Sequence, residues 1–309
     1  MNFKSIEYFL TVAQEQSITK ATSLLHITQQ TLSADIAALE RELGHTLFLR
    51  RVPLQLTYAG EVFLRYAEEF QQGRRTMERE FSDISGSQKG ILRVGVSFAR
   101  GHALMPRLIA AFQQQYPQME IHLVEAANHQ LYQHLQDGSV DLAIANLPQS
   151  ANIVLRPFYR ERWVLLVADQ LLEQVYGAEK GSVLHQLLSG DYAPLANCPF
   201  AMGIPDDIGG SFGRQFLRLQ RLQPPVKAQS ENLDTLMDLC AMGIGACFAP
   251  DNLIPDTLSE LHKVQLPDSE YQLYFGARKD GYQWQMVDAF VETALRCFPE
   301  MAAGNLKET

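Results

Sequence analysis

The sequence predicts an α/β protein in three parts: a small helical N-terminal block, one long polar helix, and a larger module in which strands and helices alternate. Three observations predict it. Residues 1–57 are dense in short helical patterns, residues 58 to about 84 keep one helical period throughout, and residues 91–300 alternate apolar strand-like runs with amphipathic helices. A run of small and polar residues, Ser85-Gly86-Ser87-Gln88-Lys89-Gly90, joins the second part to the third. The division is therefore 1–57, 58–90 and 91–309, and a chain of 309 residues has the length of about two domains.

Composition narrows the class. Apolar residues make up 46% and charged residues 20%, enough apolar material for packed cores. The longest apolar stretch, from Leu239 to Pro250, is too short to span a membrane and holds two glycines. The N-terminus carries Lys4 and Glu7 where a signal peptide needs an apolar core, so a cytoplasmic location is expected. Cys198, Cys240, Cys247 and Cys297 form neither a disulfide framework nor a CxxC metal spacing, and no metal or cofactor is expected. The formal charge of −9 is unevenly placed: the first sixty residues hold five basic and five acidic side chains, so the acidity lies in the C-terminal module. Any contact with nucleic acid falls to the first block.

In that block Ile6, Phe9, Leu10 and Ala13 share a helical face, as do Ala21, Leu24 and Leu25. A third helix is expected from Thr28 or Gln29 to Leu43, stopped by Gly44, with Leu32, Ile36, Leu39 and Leu43 on one side. Its other side shows Gln30, Ala34 and Ala37, flanked by Thr31 and Ser33. Two short helices before a helix with a small, polar outer face fit a helix-turn-helix, whose second helix enters the major groove. The same spacing also fits a three-helix cap with a solvated face.

The identities go further. Residues 3–65 resemble the winged helix-turn-helix of LysR-type transcriptional regulators. The matching segments are Phe9-Leu10-Thr11-Val12-Ala13, Ser17-Ile18-Thr19-Lys20-Ala21, Leu24-Leu25-His26-Ile27-Thr28-Gln29, Leu32-Ser33, Ile36, Leu39-Glu40, Leu43-Gly44, Leu47-Phe48, Arg50 and Leu56-Thr57-Tyr58-Ala59-Gly60. The remaining chain matches the family's length and layout. The resemblance implies a regulator that binds double-stranded promoter DNA as a homodimer or homotetramer, responds to a small-molecule effector and meets RNA polymerase. Gln29 and Gln30 have amides suited to adenine edges, and Thr31 and Ser33 have hydroxyls suited to phosphates or bases. Ala34 reaches thymine methyls alone, Lys20 supports a backbone contact, and Arg50 and Arg51 fall in the wing, where cations bind phosphate or enter the minor groove. Gln30 stands where the family usually shows proline or serine, and Ala34 where it often has a basic residue.

From Thr57, a suitable N-cap, the long helix repeats Phe63, Phe70, Met77 and Ile84 at heptad spacing, with Tyr66 and Gly73 at the second position. Phe63, Tyr66, Phe70 and Met77 are accordingly expected to form a dimerisation seam.

In the C-terminal module, strands at 91–96, 120–124, 141–146 and from Trp163 alternate with helices, a pattern that implies parallel sheets. It resembles the family's effector domain, which is like a periplasmic binding protein with a ligand between two α/β lobes. That resemblance places lobe one at about 91–162 and 269–300 and lobe two at about 163–268. Gly243-Ile244-Gly245 matches a Gly-x-Gly stretch of the family and reads as a tight helix-to-strand turn. Ligands of such sheets sit beyond the strands' carboxyl ends, where helix N-termini point their amides. That selects Ser97, Arg100, Asn128 and Asn146 in lobe one and Gly203, Ile204 and Phe248 in lobe two. Ser97 with helix amides suits a carboxylate, Arg100 strengthens that preference, and a carboxylate or amino-acid-like effector is expected. No Ser-His-Asp elbow, HExxH, Walker loop or GxGxxG occurs, so catalysis is not expected. The other reading from the residues is a solute-sensing module whose N-terminal helices serve assembly alone.

Overall fold

The structure is a computed structural model, and it describes residues 1–49, 51–86, 88–205, 208–279, 282–299 and 301. The chain forms two compact units, 1–86 and 87–309, dividing inside the small-residue linker.

The first unit opens with helix α1 (Phe3–Glu15), capped by Asn2, whose Oδ1 accepts from the Ser5 amide at 2.9 Å. Helix α2 (Ile18–Leu25) is capped in the same way by Ser17. Helix α3 (Gln29–Leu43) starts at the Thr28 cap and stops at Gly44, whose φ of 71° is the left-handed conformation that glycine takes without strain. Strands β1 (Phe48–Leu49) and β2 (Gln55–Leu56) pair antiparallel as a short wing. Glu40 ties that wing to α3, because its Oε1 accepts from the amides of Leu47 (2.7 Å) and Phe48 (3.3 Å). Helix α4 (Tyr58–Ile84) then runs for 27 residues from the Thr57 cap.

The core of this unit gathers Ile6, Val12, Leu32, Ile36, Leu39 and Leu47 around Phe9. Phe9 packs on Phe48 at 5.1 Å and edge-to-face on Phe63 at 4.7 Å between ring centroids. This corrects the expectation for Phe63. It faces inward with Ala67 and binds α4 to the unit's own core, while Tyr66, Phe70, Met77, Phe81 and Ile84 stay exposed on another face of the helix. Heptad spacing alone does not separate these two faces where they overlap.

The second unit begins with strand β3 (Gly90–Val96), helix α5 (Phe98–Gln115), strand β4 (Met119–Glu125), helix α6 (Asn128–Gln136) and strand β5 (Leu142–Ala145). A long strand β6 (Ile153–Val167) leads to helices α7 (Asp169–Tyr176) and α8 (Lys180–Leu188). Next come strand β7 (Phe200–Gly203), helix α9 (Ile208–Leu219), strand β8 (Val226–Ser230), helix α10 (Leu233–Ala241) and strand β9 (Cys247–Pro250). The long strand β10 (His262–Arg278) and helix α11 (Gln285–Cys297) close the fold.

Among the described residues the main sheet has the order β4-β3-β5-β10-β6-β9, and β7 pairs with β8 in a second sheet. β3 runs parallel to β4 and β5, as expected, and β7 runs parallel to β8. The expectation of parallel sheets holds for these pairs alone, because β10 pairs antiparallel with β5 and β6, and β6 with β9. β6 returns along the sheet without a helical crossover, and antiparallel pairing needs none.

β6 and β10 pass through both lobes. Their register breaks between Gln265 and Glu270, opposite Arg162 and Val164. The buried side chains part at the same level. One core gathers Leu92, Phe112, Phe158, Phe275 and Phe290, the other Trp163, Leu165, Phe200, Phe212 and Phe248. Gly243 takes a left-handed φ of 71° after α10, so Gly243-Ile244-Gly245 is a turn between helix and strand. Cys198, Cys240 and Cys247 are buried in lobe two. Burial pushes the Cys198 thiol up to about 12, and contact with Cys240 together with burial raises Cys247, so both are held as thiols. Among the described residues no helix is long and apolar enough to cross a membrane.

Phe63→Ala empties a buried ring site, a change that costs about 3–5 kcal/mol in such cores. It should lower the midpoint of a helical circular-dichroism transition that tryptophan fluorescence does not follow, since Trp163 and Trp284 both lie in the second unit. An unchanged midpoint with altered self-association would return Phe63 to the seam.

Candidate functional site

Two regions bring functional side chains together. In the first unit, α3 buries Leu32, Ile36 and Leu39 and leaves Gln29, Gln30, Thr31, Ser33 and Ala34 exposed. The helix holds no acidic residue in its first turn, so its N-terminal amides and partial positive charge are open to a phosphate. The Thr31 hydroxyl lies 2.9 Å from that of Thr28, which engages both in the cap. Lys20 is exposed in the first turn of α2, and its amide is held by Ser17 Oγ at 3.3 Å. Arg51 is exposed in the wing, and Arg50 lies outside the described residues.

In the second unit a cleft of about 230 Å³ lies between the lobes. Lobe one lines it with Ser97, Phe98, Arg100, Glu125 and Gln130, and lobe two with Trp163, Gly203, Ile204, Glu231 and Phe248. Ser97, Gly203, Ile204 and Phe248 therefore stand where the strand-end argument put them. Phe248 is held by a stacked contact with Phe200 at 5.5 Å, and Arg214 Nη1 donates to the Gly203 carbonyl at 2.8 Å. Ser97 is the N-cap residue of α5, yet its side chain makes no cap bond. Its Oγ instead accepts from Arg100 Nη1 at 2.8 Å, which leaves the hydroxyl proton to donate.

Arg100 lines the cleft but is not a free cation. It is 5% exposed, and its Nε and Nη2 donate to Glu161 Oε1 (2.8 Å) and Oε2 (2.5 Å). Tyr159 donates its hydroxyl to the same Oε1 at 2.9 Å. Burial first, then the Glu161 charge, pushes the Tyr159 phenol upward. Arg100, Glu161, Tyr159 and Ser97 thus belong to one hydrogen-bonded network. Arg100 is corrected from ligand anchor to partner of Glu161, because a guanidinium already bound bidentate has spent its charge.

Asn128 and Asn146 are corrected as well. The Asn146 amide donates to Asn128 Oδ1 at 3.3 Å, and Asn146 Nδ2 donates to the Gln272 carbonyl at 2.9 Å. The two side chains fasten α6, β5 and β10 to one another and stand outside the cleft lining. Sequence reasoning missed Trp163, Glu125, Glu231 and Glu161. Glu125 and Glu231 carried a signal, since each closes a strand region just before a helix.

The description "LysR substrate binding domain" matches residues 85–298, and "Bacterial regulatory helix-turn-helix protein, lysR family" matches residues 3–61. The HTH-type transcriptional regulator YcgK of Bacillus subtilis is 29% identical, over 100% of this chain and 99% of that one. Full-length OxyR of Pseudomonas aeruginosa shares the fold at a TM-score of 0.64 and 21% identity, covering 100% of this chain and 99% of its own. Full-length CbnR, solved in complex with its target DNA, aligns at a TM-score of 0.63 and 20% identity, over 96% and 100%.

Tyr159→Phe removes a hydrogen bond to a charged group, worth about 1.5–3 kcal/mol. A phenol raised on folding gives its full stabilisation below its unfolded pKa and loses it as pH climbs through the folded one. Parent stability should therefore fall as pH rises above about 10, the ordinary tyrosine value. The variant should be less stable at pH 7 and fall less steeply in that alkaline range. Equal alkaline slopes in urea-unfolding series would contradict the network.

Proposed function

Since this chain belongs to the LysR family of DNA-binding transcriptional regulators with an effector-binding domain, we propose that it works as a homodimer or homotetramer whose paired α3 helices read a two-fold related promoter site. The exposed outer face of α3 carries the reading. Gln29, Gln30, Ser33 and Ala34 contact base edges, while Thr31, Lys20, Arg50 and Arg51 meet the sugar-phosphate backbone or the minor groove. Two such heads suit a palindromic site, because the symmetry of the protein is then matched by that of the DNA.

The exposed stripe of α4, Tyr66, Phe70, Met77, Phe81 and Ile84, pairs the protomers. Phe63 has no part in that seam. In the second unit, a small molecule bound at Ser97, Gly203, Ile204 and Phe248 favours one arrangement of the lobes over another. That unequal affinity shifts the spacing or bend imposed on DNA. The carboxylate expectation loses the cation it leaned on, since Arg100 is paired with Glu161.

Gel shifts of the full chain on its own upstream region test this reading. The parent should bind at low salt, and Arg51→Ala should weaken binding across sequences and lower the salt slope by about one. Met77→Glu should lower the oligomer mass and the affinity together, whereas no binding at low salt would contradict the reading.

A further inference from the structure

Building on the cleft as the effector site, we propose that the effector is a small organic cation: a primary ammonium, or a related protonated nitrogen group, on an apolar frame. The charges of the cleft carry the argument. Among the described residues its one lining arginine, Arg100, is neutralised from behind by Glu161. Glu125 and Glu231 face the same space from opposite lobes, and among the described residues neither side chain has a hydrogen bond or an ion pair. Among the described residues an anion entering the cleft meets two carboxylates and no uncompensated cation, whereas an ammonium meets a partner from each lobe.

The start of α5 would by itself favour a carboxylate. Here the protein places its own carboxylate against that turn, for a Cβ at Gly101 would collide with Glu125. The walls fit the same ligand. Phe98, Trp163 and Phe248 supply aromatic surface beside the two carboxylates, and cations are attracted to aromatic faces. Leu233, Leu236 and Leu253 supply the apolar contact for the frame. Trp163 is 3% exposed, and its indole N–H has no acceptor among the described residues; an ammonium offers it none, so a water serves that donor while the ring face meets the cation. At about 230 Å³ the space is smaller than pockets that take drug-sized ligands, roughly 300–1,000 Å³.

The test uses the full chain and matched pairs of probes: 2-phenylethylamine against 3-phenylpropionate, and tryptamine against indole-3-acetate, with phenylalanine as the zwitterion. Calorimetric titration should show the amines binding and the matched carboxylates not. Glu125→Gln and Glu231→Gln should each weaken amine binding about tenfold, read on variants whose far-UV circular dichroism matches that of the parent. Phenylalanine binding more tightly than 2-phenylethylamine would identify amino acids as the source of the ammonium, and the reverse order would identify simple amines. Carboxylates binding in place of amines would overturn the inference and leave the cleft as effector site. Amine binding indifferent to both substitutions would overturn the inference and the reading of the cleft together. No amine binding at millimolar concentration would also overturn the inference, with the gel shift still deciding DNA binding.

Discussion

The ion pair between Arg100 and Glu161 is the constraint on which the cleft depends. A buried charge without its partner is costly, so each of these side chains fixes the position of the other. Arg100 lies in the first turn of α5, and Glu161 lies on β6 just before the level where the two cores part. Their bond therefore holds the start of α5 against the strand that joins the lobes. Ser97 is oriented by the same guanidinium, and Tyr159 fills another acceptor site of the same carboxylate. Among the described residues the one lining arginine is engaged in this way, and Glu125 and Glu231 are the other charged side chains of the lining.

The second unit combines two packed cores with two shared strands. Each core is packed internally, and the register of β6 and β10 breaks at the level where the two cores part. The first unit follows a related economy, with α4 using one face near its start for the core around Phe9 and leaving another face exposed along its length.

How much of this was legible in the sequence follows from the range of the interactions. Caps and stops are local, and so Gly44 marks the end of α3 and Thr57 the start of α4 to the residue, and the start of α3 is read to within one residue of Gln29. Strand-end logic is nearly local, and it put Ser97, Gly203, Ile204 and Phe248 at the cleft. What failed was set by distant partners. Phe63 obeys the heptad spacing, but Phe9, far off in sequence, makes it core. Arg100 looked like a free cation because Glu161 is 61 residues away, and Asn128 and Asn146 were right about the strand ends but are consumed by each other and by Gln272. The antiparallel return of β6 was hidden for the same reason, since its partner β10 lies about a hundred residues further on.

A double-mutant cycle on Arg100 and Glu161, read by urea unfolding of the full chain, tests the central claim most directly. Breaking a buried pair from one side costs about 3–5 kcal/mol, whereas replacing both partners by apolar residues of similar volume is often close to neutral. Arg100→Met and Glu161→Leu should each be strongly destabilising, and the double variant should be far more stable than their sum. Additive losses would mean that Arg100 is not held by Glu161, and the cleft would regain a cation free to receive an anion.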